Sequence, residues 1–371
     1  MRIAIPLEII ANEHRVAATP ETVKKYIATG FDVVLQSGAG EQARFNDAAY
    51  VEAGATLESE ASALFAQADI LLKVRAPEDH ELAHIPTDCL VIALLDPFTN
   101  PLLAAYAKKG LRCVAMEKIP RISRAQSMDV LSSQANIAGY KSVLVAAEYY
   151  RSFFPMLMTA AGTVQPARVL IMGAGVAGLQ AIATARRLGA IVDVFDVRAA
   201  AKEQVESLGA NFVEVENAAD AEDSGGYAKE MSEEYKKKQA LLIEKSVAKA
   251  DVVITTALIP GRPAPLLITE DMVKSMKAGS VIVDMAVASG GNCALSGDDG
   301  VWIEHEVTIV GLSNLPSLMA TDSSRLYARN LLNFMQLIAK DGEVVLAEDD
   351  EIIQASLICA NGQLLTEEKS S

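Results

Sequence analysis

Short runs of β-branched and other apolar residues recur along the first third of the chain, at 2–6, 31–35, 69–74, 89–95 and 111–116. Their length and near-continuous hydrophobicity are those of strands buried on both faces. Between them apolar positions return at helical spacing, with legible punctuation. Thr19 followed by Pro20 and Glu21 predicts an N-cap with proline at the first helical position, and Gly30 predicts the stop; Asn100, Pro101 and Gly110 repeat the arrangement. A polar stretch, 117–136, has no clear period, and 137–154 reads as a long apolar helix linking two lobes. A second series begins at Arg168, with strands predicted at 169–172, 191–195, 252–255, 280–284 and 307–310. A helical pattern at 324–339 is followed by short strands around 343–346 and 352–359, with Asn361-Gly362 as a turn, in a tail expected to rejoin the first lobe.

Strands alternating with helices imply parallel sheets. The expected fold is α/β, with two Rossmann-like domains, parallel sheets, helices on both faces and a cofactor cleft between the domains. Residues 1–138 with 319–371 form the first, discontinuous domain, and 139–318 the second. The pattern dissolves between 212 and 247 into acidic residues, Gly225-Gly226-Tyr227 and Lys236 to Lys238. A loop at about 214–238 is either a solvated insertion or a lid, and the tyrosine beside two glycines favours the lid.

Composition narrows the function. With 371 residues, 51% of them hydrophobic, the chain can bury two cores. A net charge of -15 argues against nucleic acid as a partner, because phosphate-tracking surfaces need clustered Lys and Arg. No run approaches the ~20 apolar residues that cross a bilayer. Residues 1–7 enter a strand rather than a signal peptide, so a soluble cytoplasmic chain is expected. Cys89, Cys113, Cys293 and Cys359 lie far apart and suggest buried thiols. His80-Glu81-Leu82-Ala83-His84 matches H-E-x-x-H, but Pro77 and Pro86 confine it to two turns and His305 is the only later histidine. It reads as a solvated surface turn, and no metal site is expected. No G-x-S-x-G elbow or P-loop occurs.

The strongest chemical signal is Gly173-Ala174-Gly175-Val176-Ala177-Gly178, between a strand and a helical pattern. In that context the first glycine permits the turn, the second lets backbone approach a pyrophosphate, and the third allows helix to pack on strand. Asp196 ends the next strand, where a carboxylate binds the ribose of NAD and repels a 2'-phosphate; the bland alternative is a helix cap. Arg198 is the one nearby feature that would admit NADP. Thr256, Ala257 and Leu258, in a glycine-bearing segment running to Pro263, leave a strand at the edge where such sheets hold ligands, bordering the nicotinamide half. The loop from Asp284 to Asn292, through Gly290 and Gly291, leaves the following strand at the same edge, or is an ordinary tight turn.

Asn12-Glu13-His14-Arg15-Val16-Ala17-Ala18-Thr19-Pro20, Leu71-Leu72-Lys73-Val74 and this fingerprint together resemble the alanine dehydrogenase and transhydrogenase superfamily. Within it, Pro120-Arg121-Ile122-Ser123-Arg124-Ala125-Gln126-Ser127-Met128-Asp129 looks like the transhydrogenase loop that reaches over the nicotinamide. Asp196-Val197-Arg198, Thr256-Ala257-Leu258-Ile259-Pro260-Gly261 and Gly290-Gly291-Asn292-Cys293 extend the likeness over the whole chain.

The resemblance implies that Arg121, Gln126, Asp129 and Ser132 position the nicotinamide, with Ile122, Ser123, Arg124 and Ser133 beside them, and that Tyr227 and Gln239 fold over the nucleotide. It implies an NAD(H)-binding component of a proton-translocating transhydrogenase that passes hydride to NADP+ on a partner subunit. A membrane subunit would couple the transfer to protons and hold this chain, a homodimer, on the cytoplasmic side of the inner membrane. Hydride transfer between nicotinamides needs no acid or base, in keeping with Gln126 at its centre.

The alternative is an alanine dehydrogenase. That family uses an Arg, a Lys, a His and an acidic group on its substrate. Arg15 and Lys73 are present, as substrate ligands or as salt-bridged scaffold cations. Leu94-Leu95-Asp96-Pro97-Phe98 has no histidine, and Ala288 stands at the acidic position. Transhydrogenases also commonly keep an acid there, and nothing in the sequence accounts for Ala288. A non-catalytic NAD sensor would need no polar loop at 121–132.

Overall fold

A computed structural model describes residues 1–214, 233–259, 261–297, 299–340 and 342–365. Tyr227 and most of the expected 214–238 loop lie outside them. The chain divides into two compact units, Met1–Gln134 with the chain from Pro316 onward, and Ala135–Leu315.

The first unit is built on an eight-stranded sheet, ordered Gln363–Leu364, Leu357–Ala360, Arg112–Ala115, Leu90–Leu94, Ile70–Arg75, Arg2–Ile5, Asp32–Gln36 and Thr56–Glu58. The last six run parallel. The two tail strands join antiparallel, turning through Asn361 and Gly362 at φ 52 and 75. Along Arg2–Ile5, Ile3 and Ile5 enter a core with Tyr26, Tyr327 and Phe334, while Ala4 enters another with Leu64, Phe65 and Tyr106. Both faces are therefore covered, which is why these strands carry continuous apolar runs. Helix Pro20–Ala28 starts at the predicted cap, where Thr19 and Thr22 form a capping box.

The second unit holds a seven-stranded sheet, ordered Asn211–Phe212, Ile191–Phe195, Arg168–Met172, Val252–Thr255, Val281–Asp284, Val307–Gly311 and Gly300–Glu304. All pair parallel except the last. The order reverses at Arg168–Met172, whose two neighbours, Ile191–Phe195 and Val252–Thr255, both follow it in the chain and lie on opposite sides of it. Ligands bind open α/β sheets at the carboxyl ends of strands flanking such a reversal.

Three expectations need correction, and one element was not foreseen. The linking helix spans Val130–Tyr149, not 137–154, because Asp129 caps it: its carboxylate accepts from Ser132 N at 2.8 Å and Ser132 Oγ at 2.6 Å. The run at 352–359 is a helix, Glu351–Ser356, followed by strand Leu357–Ala360, since Asp350 accepts from Ile352 N. Helix Leu103–Lys109 begins after Asn100, which instead closes a turn onto Leu102 N. Nothing in the sequence pattern predicts the hairpin of Leu157–Thr159 with Gly162–Val164. Among the described residues no helix is long and apolar enough to cross a membrane.

Candidate functional site

At the reversal point the chain leaves Met172 and passes through Gly173 at φ 111. A β-carbon on Gly173 would lie 2.4 Å from Thr256 Oγ1, and one on Gly178 would lie 1.8 Å from Gly173 O. These two glycines let the loop fold against the neighbouring strand end and the helix Val176–Arg187. Gly175 differs. Its φ of -75 suits any residue, and a β-carbon there would meet nothing within 4 Å. It is also the N-cap of that helix with no side-chain cap, so the first peptide N–H groups carry the positive end of the helix dipole without an internal partner.

Asp196 stands beside this loop, accepting from Ala174 N at 2.7 Å and Arg198 N at 2.8 Å, with the Arg198 guanidinium 3.0 Å away. Burial works against its charge, but the Arg198 side chain and the two N–H donors outweigh it and hold its pKa below the usual carboxylate value. It is not a helix cap, and the Arg198 cation is engaged by it. Val197 is exposed.

Thr256 ties the next strand end to the loop, donating to Gly173 O at 3.2 Å. Ala257 and the exposed Leu258 follow. Asn292, with no role legible in the sequence beyond closing the glycine-bearing loop, secures them: fully buried, it accepts from Ala257 N at 3.1 Å and donates to Ala257 O and Pro265 O. Asp284, also fully buried, anchors Asn292 N at 2.7 Å together with Thr255, Ala286, Cys293 and Ser296. The Gly290-Gly291 segment is thus a built support rather than an ordinary turn, although only the sequence GGN hinted at it. Gln239 sits half-buried on helix Glu233–Lys249.

The other predicted residues gather in the first unit. Arg121, Ser123 and Gln126 are exposed, and Ile122 is half-buried. Arg124 is occupied by Asp350, two guanidinium nitrogens lying 2.7 and 3.0 Å from its carboxylate oxygens. Asp129 and Ser132 pair as the helix cap, and Ser133 Oγ donates to Asn330 Oδ1 at 2.7 Å.

Deeper in this unit lies a buried charge cluster. Glu13 binds Arg15 through two oxygens at 2.7 and 2.6 Å, and Gln134 takes a third N–H at 2.8 Å. Lys73 is 2.8 Å from Glu81 and 3.6 Å from Glu8. Burial opposes its charge, yet both carboxylates outweigh that and raise its pKa. The H-E-x-x-H segment is therefore not the solvated turn its sequence suggests. His80 and His84 are exposed, but Glu81 is buried as the partner of Lys73.

Residues 4–138 match the family described as "Alanine dehydrogenase/PNT, N-terminal domain" and residues 142–367 match "Alanine dehydrogenase/PNT, C-terminal domain". A Rhodospirillum rubrum protein, named as one part of an NAD(P) transhydrogenase subunit alpha, is 51% identical over 98% of each chain. The structure of a transhydrogenase from Sinorhizobium meliloti aligns with a TM-score of 0.91 at 47% identity, covering 98% of this chain and all of that one. An alanine dehydrogenase from Halomonas elongata is 31% identical over 98% of this chain and 94% of its own.

Proposed function

This chain belongs to the alanine dehydrogenase/PNT family, and from that premise we propose that it is the NAD(H)-binding component of a proton-translocating transhydrogenase. Hydride passes between NADH held here and NADP+ on a partner subunit, and a membrane-spanning subunit couples the transfer to proton movement. The observation that carries the nucleotide reading is Gly175. Its open β-carbon position and the uncapped helix start behind it suit a pyrophosphate, and among the described residues no side chain caps that helix start.

When bound, NAD(H) supplies or accepts the hydride at its nicotinamide. The chain's own residues bind and orient. Peptide N–H groups of Val176, Ala177 and Gly178 receive the pyrophosphate; Asp196, held ionised, accepts from the ribose hydroxyls and repels a 2'-phosphate. Arg198, turned onto Asp196, does not reverse that preference. Arg121, Gln126, Asp129 and Ser132 position the nicotinamide, flanked by Ile122, Ser123, Arg124 and Ser133, while Thr256, Ala257 and Leu258 border the nucleotide and Gln239 and Tyr227 close over it. The chain works as a homodimer on the cytoplasmic face of the inner membrane, held there by its partner subunits.

Alanine dehydrogenase chemistry is the second reading, and the charge cluster speaks against it. A cation that binds a substrate carboxylate must be free to do so, and Arg15 and Lys73 already face Glu13, Glu8 and Glu81. Fluorescence titration of the purified chain with NADH and NADPH, followed by L-alanine with NAD+, tests the choice. Selective NADH binding without NADH formation from alanine supports the transhydrogenase component; NADH formation from alanine moves the chain to the amino-acid dehydrogenases.

A further inference from the structure

The tail helix Ala320–Ile338 reaches the segment around Gln126 through two asparagines three residues apart. Asn330 Nδ2 donates to Ser127 O at 2.8 Å, and Asn333 Nδ2 donates to the same oxygen at 2.9 Å. A carbonyl oxygen has two lone pairs. Both are used, and the Ser127–Met128 peptide, one residue beyond Gln126, is fixed in orientation. Asn330 Oδ1 also accepts from Ser133 Oγ at 2.7 Å. One side chain thereby spans the two ends of the segment that contains Asp129 and Ser132. Arg124, bound by Asp350 from the same tail, fastens the segment on its other side.

Asparagine is a mediocre helix former, and an amide 7% exposed must be paired to be tolerated. Here both its donor and its acceptor go to the 127–133 segment. The arrangement therefore ties the tail helix to that segment's geometry. We propose that Asn330, assisted by Asn333, is a positioning residue for hydride transfer, holding the backbone beside Gln126 so that Gln126 and Asp129 present a fixed geometry to the nicotinamide. The inference rests on the transhydrogenase reading. Hydride transfer is steeply sensitive to misplacement of the reacting carbons, so loosening this hold slows the chemical step more than it weakens binding.

Asn330→Asp keeps the acceptor for Ser133 and removes the donor to Ser127 O. Asn333→Ala removes the second donor from a half-buried position and leaves the core intact. Each variant is combined with its NADP(H)-binding and membrane subunits, and single-turnover hydride transfer from NADH to NADP+ is followed beside NADH affinity and thermal unfolding of the chain. The expected result is a rate lowered roughly tenfold by Asn330→Asp and about threefold by Asn333→Ala, with NADH dissociation constants within about threefold of wild type. Wild-type rates in both variants overturn the inference. So does a loss of rate, affinity and melting temperature together in Asn333→Ala, which marks a general structural role. Failure of the wild-type chain to bind NADH removes the transhydrogenase reading itself, and the inference with it; NADH binding with unaltered variant rates removes the inference alone.

Discussion

Gly173 and Gly178 are glycines because neighbouring backbone and the Thr256 hydroxyl leave no room for a β-carbon, whereas nothing in the protein crowds Gly175. The two kinds of glycine separate folding from binding. Gly178→Ala drives a methyl group into Gly173 O and costs roughly 1–3 kcal/mol or more of stability. Gly175→Ala costs no more than the ~1 kcal/mol of a weaker N-cap, so its melting temperature stays near wild type while NADH affinity falls about tenfold or more, because the methyl group takes the approach path of the pyrophosphate. Calorimetry of both variants with and without NADH checks this; equal NADH affinity in Gly175→Ala and wild type would sink the cradle. The fingerprint and Asp196 were legible in the sequence because their geometry is local, set by one strand, one turn and one helix. Glu81, Asn292 and Asn330 were not, because each acquires its role from side-chain contacts that no local pattern spells out: Glu81 from Lys73, eight positions earlier across a strand end, Asn292 from Asp284 and Ala257, and Asn330 from Ser127, 203 positions earlier. The buried pairing of Lys73 favours the scaffold alternative that the sequence left open.

Central strands were readable to within a residue or two because burial on both faces leaves a continuous apolar run. Elements with mixed surroundings were not. The polar turn at the start of Val130–Tyr149 hid the first two turns of that helix, and the apolar residues of Glu351–Ser356 read as strand since their spacing over six residues cannot separate one period from the other. The ends of two of the well-read strands meet at Glu117. Its Oε1 accepts from Leu95 N at 2.8 Å and Asp96 N at 2.6 Å, while Oε2 is buried without a partner. Burial pushes its pKa up to about 7, Asp96 adding to the rise against the backbone N–H bonds. A carboxyl with a raised folded-state pKa is protonated in the folded chain over a range where the unfolded chain has lost the proton. Its contribution therefore falls as pH climbs from about 4.5 to 7 and stays low above that, by up to ~3 kcal/mol. Glu117→Gln keeps the Oε1 acceptor and removes the titration. Its melting temperature should match wild type near pH 4.5 and exceed it at pH 8; a constant difference between the two across that range would refute the assignment.

At the scale of the whole molecule, each unit completes its own doubly covered sheet, and the first cannot do so without the tail strands that return to pair beside Arg112–Ala115. That return was foreseeable from the Asn361-Gly362 turn and the strand pattern before it. The hairpin Leu157–Thr159 with Gly162–Val164 was not foreseeable, since its strands have three residues each and no alternation of burial. All six of those residues are exposed, among them Met158 at 74%, and Phe153 and Met156 just before them are exposed as well. A lone two-stranded hairpin is marginal in water and stands only when something covers it. A second copy of the chain is the cover that the homodimer reading supplies. A stable dimer buries on the order of 1,200–2,000 Å² in total, so on that reading the hairpin would be an anchor within a larger contact. Met156→Asp combined with Met158→Asp places two charges on that anchor without touching the glycine loop, Asp196 or the Arg121 to Ser133 segment. Light scattering should show wild type at twice the mass of one chain and the double variant at the mass of one, with NADH affinity within about threefold of wild type. A wild-type chain that is monomeric, or a double variant that remains a dimer, would remove the hairpin from the assembly and leave the nucleotide site standing on its own evidence in each chain.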